Sequence, residues 1–191
     1  MHKQPEVTAA TRARLMDAFW ALYRERPMEK ITVSSIVKLA GVHRSTFYEY
    51  FQDVYDVLEQ IEKSLIDEME RIVSQIAEDL PAGDPILLVG AQLSERFAPH
   101  AEKMYYLSSD PDFQPRIIAT LKPYLLRVSH LPERFPNQDF LFTLFASNIL
   151  TTLHYWYAHR QETTIQELVG MVQQVLYFGL VQWLPTMADD P

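Results

Sequence analysis

Between Ile31 and Phe51 the chain reads ITVSSIVKLAGVHRSTFYEYF, two short apolar periods of helical spacing on either side of one glycine. Few arrangements accommodate that pattern. Val33, Ile36, Val37 and Ala40 recur every three or four residues, and Thr32 directly before them is an N-cap signal. Gly41 suits a tight turn, because a residue without Cβ takes positive φ at little cost. A further short helix from about His43 to Phe51 then buries Phe47, Phe51 and part of Tyr50. Upstream, a helix from about Thr8 to Arg26 offers Leu15, Ala18, Phe19, Leu22 and Tyr23 as one apolar face, and Pro27 ends it.

The rest of the chain keeps the helical period. Sustained strand-like alternation and internal repeats are missing, and only 5 of 191 residues are glycine. The expected fold is all-α, with a three-helix head, a larger helical body and about nine helices. Asp53 is placed to cap a long fourth helix reaching about Leu80, followed by a loop, PAGDP. Helices are expected near 85–97, 100–107 and 111–130, with Pro123 inside the last predicting a kink or a restart. The final two should span about Gln138–Arg160 and Thr164–Thr186. The domains predicted are 1–52 and 53–191.

Composition narrows the function. Cysteine is absent, which excludes disulfides, thiolate metal sites and cysteine nucleophiles. No apolar run is long enough to span a bilayer, and Met1–Pro5 is too short and polar for a secretion signal, so a cytoplasmic protein with no membrane partner is expected. The net charge is −8. Its distribution is uneven: residues 1–50 hold eight Lys or Arg against five acids, a net +3, which leaves −11 for the remainder. Only the head suits a polyanion.

A capped helix, a glycine turn and a second short helix make up a helix-turn-helix, whose second helix enters the major groove of DNA. Its outward residues are Arg44, Ser45, Tyr48 and Glu49. The segment resembles the TetR (tetracycline-repressor) family of bacterial transcription regulators in Ile31-Thr32, Ile36, Ala40-Gly41-Val42, Thr46-Phe47-Tyr48 and Tyr50-Phe51. The resemblance covers roughly the first 60 residues. Arg44 has the chemistry to pair with guanine O6 and N7, and Ser45 is small enough to let the helix seat deeply. Thr32 and Ser34 offer hydroxyls to phosphate. The resemblance implies backbone contacts for His43, Tyr48 and Tyr50, while Thr46 steadies the helix. Two departures stand out. Val54 occupies the place of a phosphate-binding lysine usual in the family, and Glu49 puts an acid on the reading surface.

The last two helices are apolar on more than one side, which predicts a homodimer. Phe142, Phe145, Ile149, Leu153, Leu168, Val172, Val175, Leu176, Gly179 and Trp183 are the expected interface, and Gly170 and Gly179 are read as allowing close helix approach. A dimer would present two heads to a palindromic operator in double-stranded DNA. Phe97, Met104, Tyr105, Tyr106, Phe113, Tyr124, His154 and Trp156 are candidates for a pocket taking a hydrophobic or aromatic effector, with ordinary core packing as the competing reading. No cofactor, metal or catalytic constellation emerges. His154 and His159 are five apart and face different ways, and phosphate loops and nucleophile elbows are missing. The leading expectation is a ligand-responsive repressor and not an enzyme. The alternatives are a regulator, possibly activating, whose effector is a protein, as FQDVYDVLEQIEKSL (residues 51–65) suggests, or a helical small-molecule-binding protein that has lost DNA binding.

Overall fold

The computed structural model describes residues 5–79, 86–108, 110–129 and 137–175, and among them it is all-helical. Eight α-helices run in the order α1 (Pro5–Tyr23), α2 (Val33–Ala40), α3 (Arg44–Tyr48), α4 (Val54–Asp79), α5 (Ile86–Phe97), α6 (Ala101–Leu107), α7 (Phe113–Ser129) and α8 (Gln138–His159). Residues 165–175 are also helical, and the expected continuation to 186 lies outside the described residues. Contacts divide the chain into two units, Met1–Ser64 and Leu65–Pro191, with α4 belonging to both.

In the first unit, α1 starts at Pro5, where a missing N–H costs nothing and the fixed φ favours helix. It ends at Tyr23, before Pro27. Leu15, Phe19, Ile36, Phe47, Phe51 and Val57 form the centre of the head's core, each at 2% exposure or less. The Arg14 guanidinium donates to the carbonyl of Ala40 and so ties α1 to the end of α2. Arg12 Nε donates to Gln60 Oε1 at 3.2 Å, and Gln60 Nε2 donates to Asp56 Oδ1 at 2.8 Å, linking α1 to α4.

Asp53 caps α4 as expected. Its Oδ1 accepts from the backbone N–H of Tyr55 at 2.8 Å and of Asp56 at 2.9 Å, satisfying two donors the helix cannot. Replacing Asp53 by alanine should cost about 0.5–2 kcal/mol, and Asp53→Ser should recover most of it. Thermal unfolding of the two variants beside the wild type checks this; Asp53→Ala melting like the wild type would mean the cap contributes nothing.

In the second unit α8 packs against α5, α6 and α7. Leu93, Phe97, Leu107, Phe113, Ile117 and Leu153 are among its fully buried residues. Gly90 lets α5 approach α8: a Cβ there would stand 3.0 Å from the Phe145 ring. At Gly170, by contrast, a Cβ would meet nothing within 4 Å. Among the described residues, that glycine faces open space. Gly179 lies outside the described residues. Pro123 neither ends nor restarts α7, which is helical from Phe113 to Ser129. No described helix is long and apolar enough to cross a membrane.

Candidate nucleic-acid interface

The turn between α2 and α3 is built by caps. Thr32 Oγ1 accepts from the Ser35 backbone N–H at 3.2 Å, and Ser35 Oγ accepts from the Thr32 N–H at 3.1 Å, a reciprocal box over the first turn of α2. At the other end Gly41 takes φ 66°, the left-handed conformation, with its N–H on the carbonyl of Val37. A β-carbon would strain that cap. The reversal delivers α3 with Phe47 fully buried and Arg44, Ser45, Tyr48 and Glu49 exposed.

Arg44 does not hang free in solvent. Its guanidinium donates to the Tyr48 hydroxyl at 3.1 Å and lies 5.7 Å from the centre of the Tyr48 ring. One turn of helix thus holds a planar cation in place, with its remaining N–H groups open to base or phosphate oxygens. Tyr48 is half exposed and its ring meets Phe47 edge-on at 5.5 Å, which anchors the pair to the core. Sequence reasoning placed Arg44 and Tyr48 on one face but gave no sign that they act together. The i,i+4 spacing was the available signal.

The other expected contacts divide by exposure. Ser34 and His43 are exposed, and His43, at the N-cap of α3, makes no capping bond with its side chain. Tyr50 is half-buried beside Phe51, with ring centres 6.4 Å apart. Thr46 is half-buried and its N–H bonds the carbonyl of His43, in keeping with a steadying role. Thr32 is exposed, and its hydroxyl oxygen caps α2 by accepting from the Ser35 N–H and lies 3.3 Å from Ser35 Oγ.

The body departs further from expectation. Phe142, Phe145, Ile149 and Leu153 are 1%, 8%, 7% and 0% exposed within a single chain, so they fill its own core and are not available to a second copy. The apolar residues α8 leaves outside are Phe140, Leu144 and Tyr155. Leu168 and Val172 are half-buried, while Met171 and Val175 are exposed. Leu176, Gly179 and Trp183 lie outside the described residues.

Among the expected pocket residues, Phe97, Met104 and Phe113 are buried as core. Tyr105, Tyr106, Tyr124, His154 and Trp156 are half-buried. The Tyr124 hydroxyl donates to the Glu70 carboxylate. Tyr105 sits at the centre of a ring cluster, 4.5 Å from His154, 5.2 Å from Tyr157 and 5.4 Å from Tyr106. Arg160 lies 4.5 Å above Tyr157, and burial, with help from Glu102, pushes the Tyr157 phenol up. That phenol stays neutral near pH 7. A cavity of about 20 Å³, room for one water, opens among α5, α8 and residues 165–175 beside Gly90, Ser94, Asn148 and Thr152. It touches none of the eight expected pocket residues.

A capped helix-turn-helix with an anchored arginine and tyrosine on its outer face defines a DNA-binding transcription regulator. Residues 15–61 match the family model of bacterial regulatory proteins, tetR family. Comparison with curated proteins gives no match. Solved structures share the fold at low identity. A tetR-family transcriptional regulator from Streptomyces coelicolor is 15% identical, with a TM-score of 0.68 over 94% of this chain and 85% of its own. The fatty acid degradation regulator FadR from Bacillus halodurans is 18% identical, with 0.65 over 92% and 96%. FadR from Bacillus subtilis, solved in complex with stearoyl-CoA, is 20% identical, with 0.65 over 86% and 96%.

Proposed function

We propose that the chain is a dimeric, cytoplasmic, ligand-responsive repressor that reads a palindromic operator through α3 and carries out no catalytic step. The observation that carries this reading is the Arg44–Tyr48 pair, exposed on a recognition helix whose opposite side is locked into the core. A guanidinium fixed in this way pairs with guanine O6 and N7 without first losing its own freedom. Ser45 beside it is small and exposed, so the backbone of α3 has room to sit close to the base edges. Ser34, His43 and Tyr50 supply phosphate contacts that set the register. With Val54 where a lysine is usual, the salt dependence should be shallower by roughly one counterion.

Two heads related by a two-fold axis would meet successive major grooves about 34–36 Å apart. The exposed apolar stripe of α8, together with Met171 and Val175, is the surface on which a second copy would seat. The body's effector, in this reading, is apolar or aromatic, in keeping with the half-buried rings of Tyr105, Tyr106 and Tyr157 and with the stearoyl-CoA carried by the Bacillus subtilis neighbour.

The test is fluorescence anisotropy against DNA from the protein's own upstream region. Arg44→Ala should weaken binding to the preferred sequence by about 5- to 150-fold, the worth of one bidentate base contact, and change non-specific binding far less. Tyr48→Phe keeps the ring and removes the acceptor, so a loss nearer fivefold is expected. Wild-type affinity in Arg44→Ala would reject α3 as the reading element.

A further inference from the structure

One cleft in the body has a different character from the ring cluster and from the packed core. It is open, about 310 Å³, and is lined by Ser108, Asp110, Pro111, Gln114, Thr151 and His154, where the turn between α6 and α7 meets α8. Five of these six side chains are polar, and their commitments can be followed one at a time.

Ser108 has a single hydroxyl proton, which it donates to the carbonyl of Tyr105 at 2.6 Å. The same oxygen lies 3.2 Å from His154 Nδ1, so at that contact it must accept, and the imidazole carries its proton on Nδ1. Nε2 is the ring's remaining polar atom. Tyr105 covers one face of the ring, its centre 4.5 Å away, and fixes its plane. The charged member of the lining is already neutralised: Asp110 Oδ2 takes the Arg116 guanidinium at 3.0 Å, and Oδ1 accepts from the Asp112 N–H at 2.9 Å. The amide of Gln114 and the hydroxyl of Thr151, both on exposed residues, complete the wall. Each can donate and accept.

We infer that this cleft binds a small, neutral, polyhydroxylated molecule, a polyol or short sugar. Among the described residues its lining holds no uncompensated positive charge to attract an anion and no free carboxylate to attract a cation. It presents one oriented imidazole nitrogen and two groups able to act either way, a set that hydroxyl groups satisfy by donating to one neighbour while accepting from another. The volume lies at the lower end of what small-molecule sites enclose, which matches a compound of few heavy atoms. The cleft shares His154 with the edge of the ring cluster but differs from it in its polar lining, and its test needs no DNA. Failure here leaves operator binding untouched, and loss of operator binding leaves the cleft intact.

The experiment is titration of the full chain with ribitol, ribose and glycerol, followed by heteronuclear NMR, with inorganic phosphate and choline as the anionic and cationic counterparts. The neutral probes should move the resonances of Gln114, Thr151 and His154 together, with one dissociation constant. Gln114 is exposed, so Gln114→Ala should leave the fold unchanged and weaken ribitol about fivefold, the worth of one hydrogen bond. His154→Phe keeps the ring against Tyr105 and removes the imidazole nitrogens, with a similar or larger loss. The proposal is overturned if the neutral probes leave those three residues unmoved, if Gln114→Ala binds ribitol as tightly as the wild type, or if phosphate or choline occupies the cleft in preference.

Discussion

Acids introduced together at Leu144 and Tyr155 are expected to separate the proposed dimer and to cut operator affinity by about 10²- to 10⁴-fold, the avidity lost when two linked heads become two independent ones. Helix α8 carries large apolar residues on two sides. One side is spent inside the protomer, where Phe142 and Leu153 are 1% and 0% exposed. Phe140, Leu144 and Tyr155 fall on the opposite side, spaced four and eleven residues apart, and remain 65%, 46% and 50% exposed. An exposed apolar stripe of this kind on a soluble protein marks a contact surface. Across a two-fold axis each new carboxylate would come close to its own symmetry mate, so desolvation and repulsion both oppose association. Within the protomer the same positions face solvent, and the cost to folding should stay within about 0.5 kcal/mol. Sedimentation equilibrium measures the first effect, and anisotropy on a full operator against a half-site measures the second. Half-site binding should be unchanged, which separates a lost partner from a damaged head. A double variant that remains dimeric would place the interface elsewhere.

This stripe also marks where the sequence stopped being informative. The head was legible because its signals are local: Thr32 before a short apolar period, Gly41 where only a left-handed residue closes the turn, and Asp53 two residues ahead of the first amide it caps. Each can be read from neighbours in the chain, and each appears in the structure. In α8 the period is satisfied on both sides at once, so it could not tell which side is internal. Phe142, Phe145, Ile149 and Leu153 were therefore expected at a dimer surface and instead fill the core. Long-range pairing was equally hidden. Gly90 matters because Phe145, 55 positions later, lies against it, and no local pattern announces that. Likewise the polar cleft exists because Ser108 and His154, 46 residues apart, share a hydrogen bond. Aromatic content drew the sequence reading toward Phe97, Met104 and Phe113, which are core. Thr32 shows a subtler limit: a hydroxyl at a helix start suits both a cap and a phosphate, and only the structure shows that its oxygen caps α2.

Phe47→Ala should be the most damaging single truncation in the head. The ring is fully buried, lies 5.5 Å from that of Phe51, and belongs to the cluster that also holds Leu15, Phe19 and Ile36. Removing it forfeits the transfer free energy of the ring and leaves a hole that three short helices cannot close, a cost of about 3–5 kcal/mol. The head's core is small, and that figure approaches the whole stability of a modest domain. Phe47 is also the residue through which α3 grips the core, directly between Thr46 and Tyr48. Its loss should therefore abolish operator binding even though Arg44 and Tyr48 are untouched. Calorimetry should show the head's transition lowered by more than about 10 °C. Phe47→Leu leaves a smaller hole and should fall between the two, since the penalty grows with the cavity. If Phe47→Ala melts and binds like the wild type, the packing of α3 against α1 and α2 is not what positions the reading surface, and the link from core to DNA recognition fails at its first step.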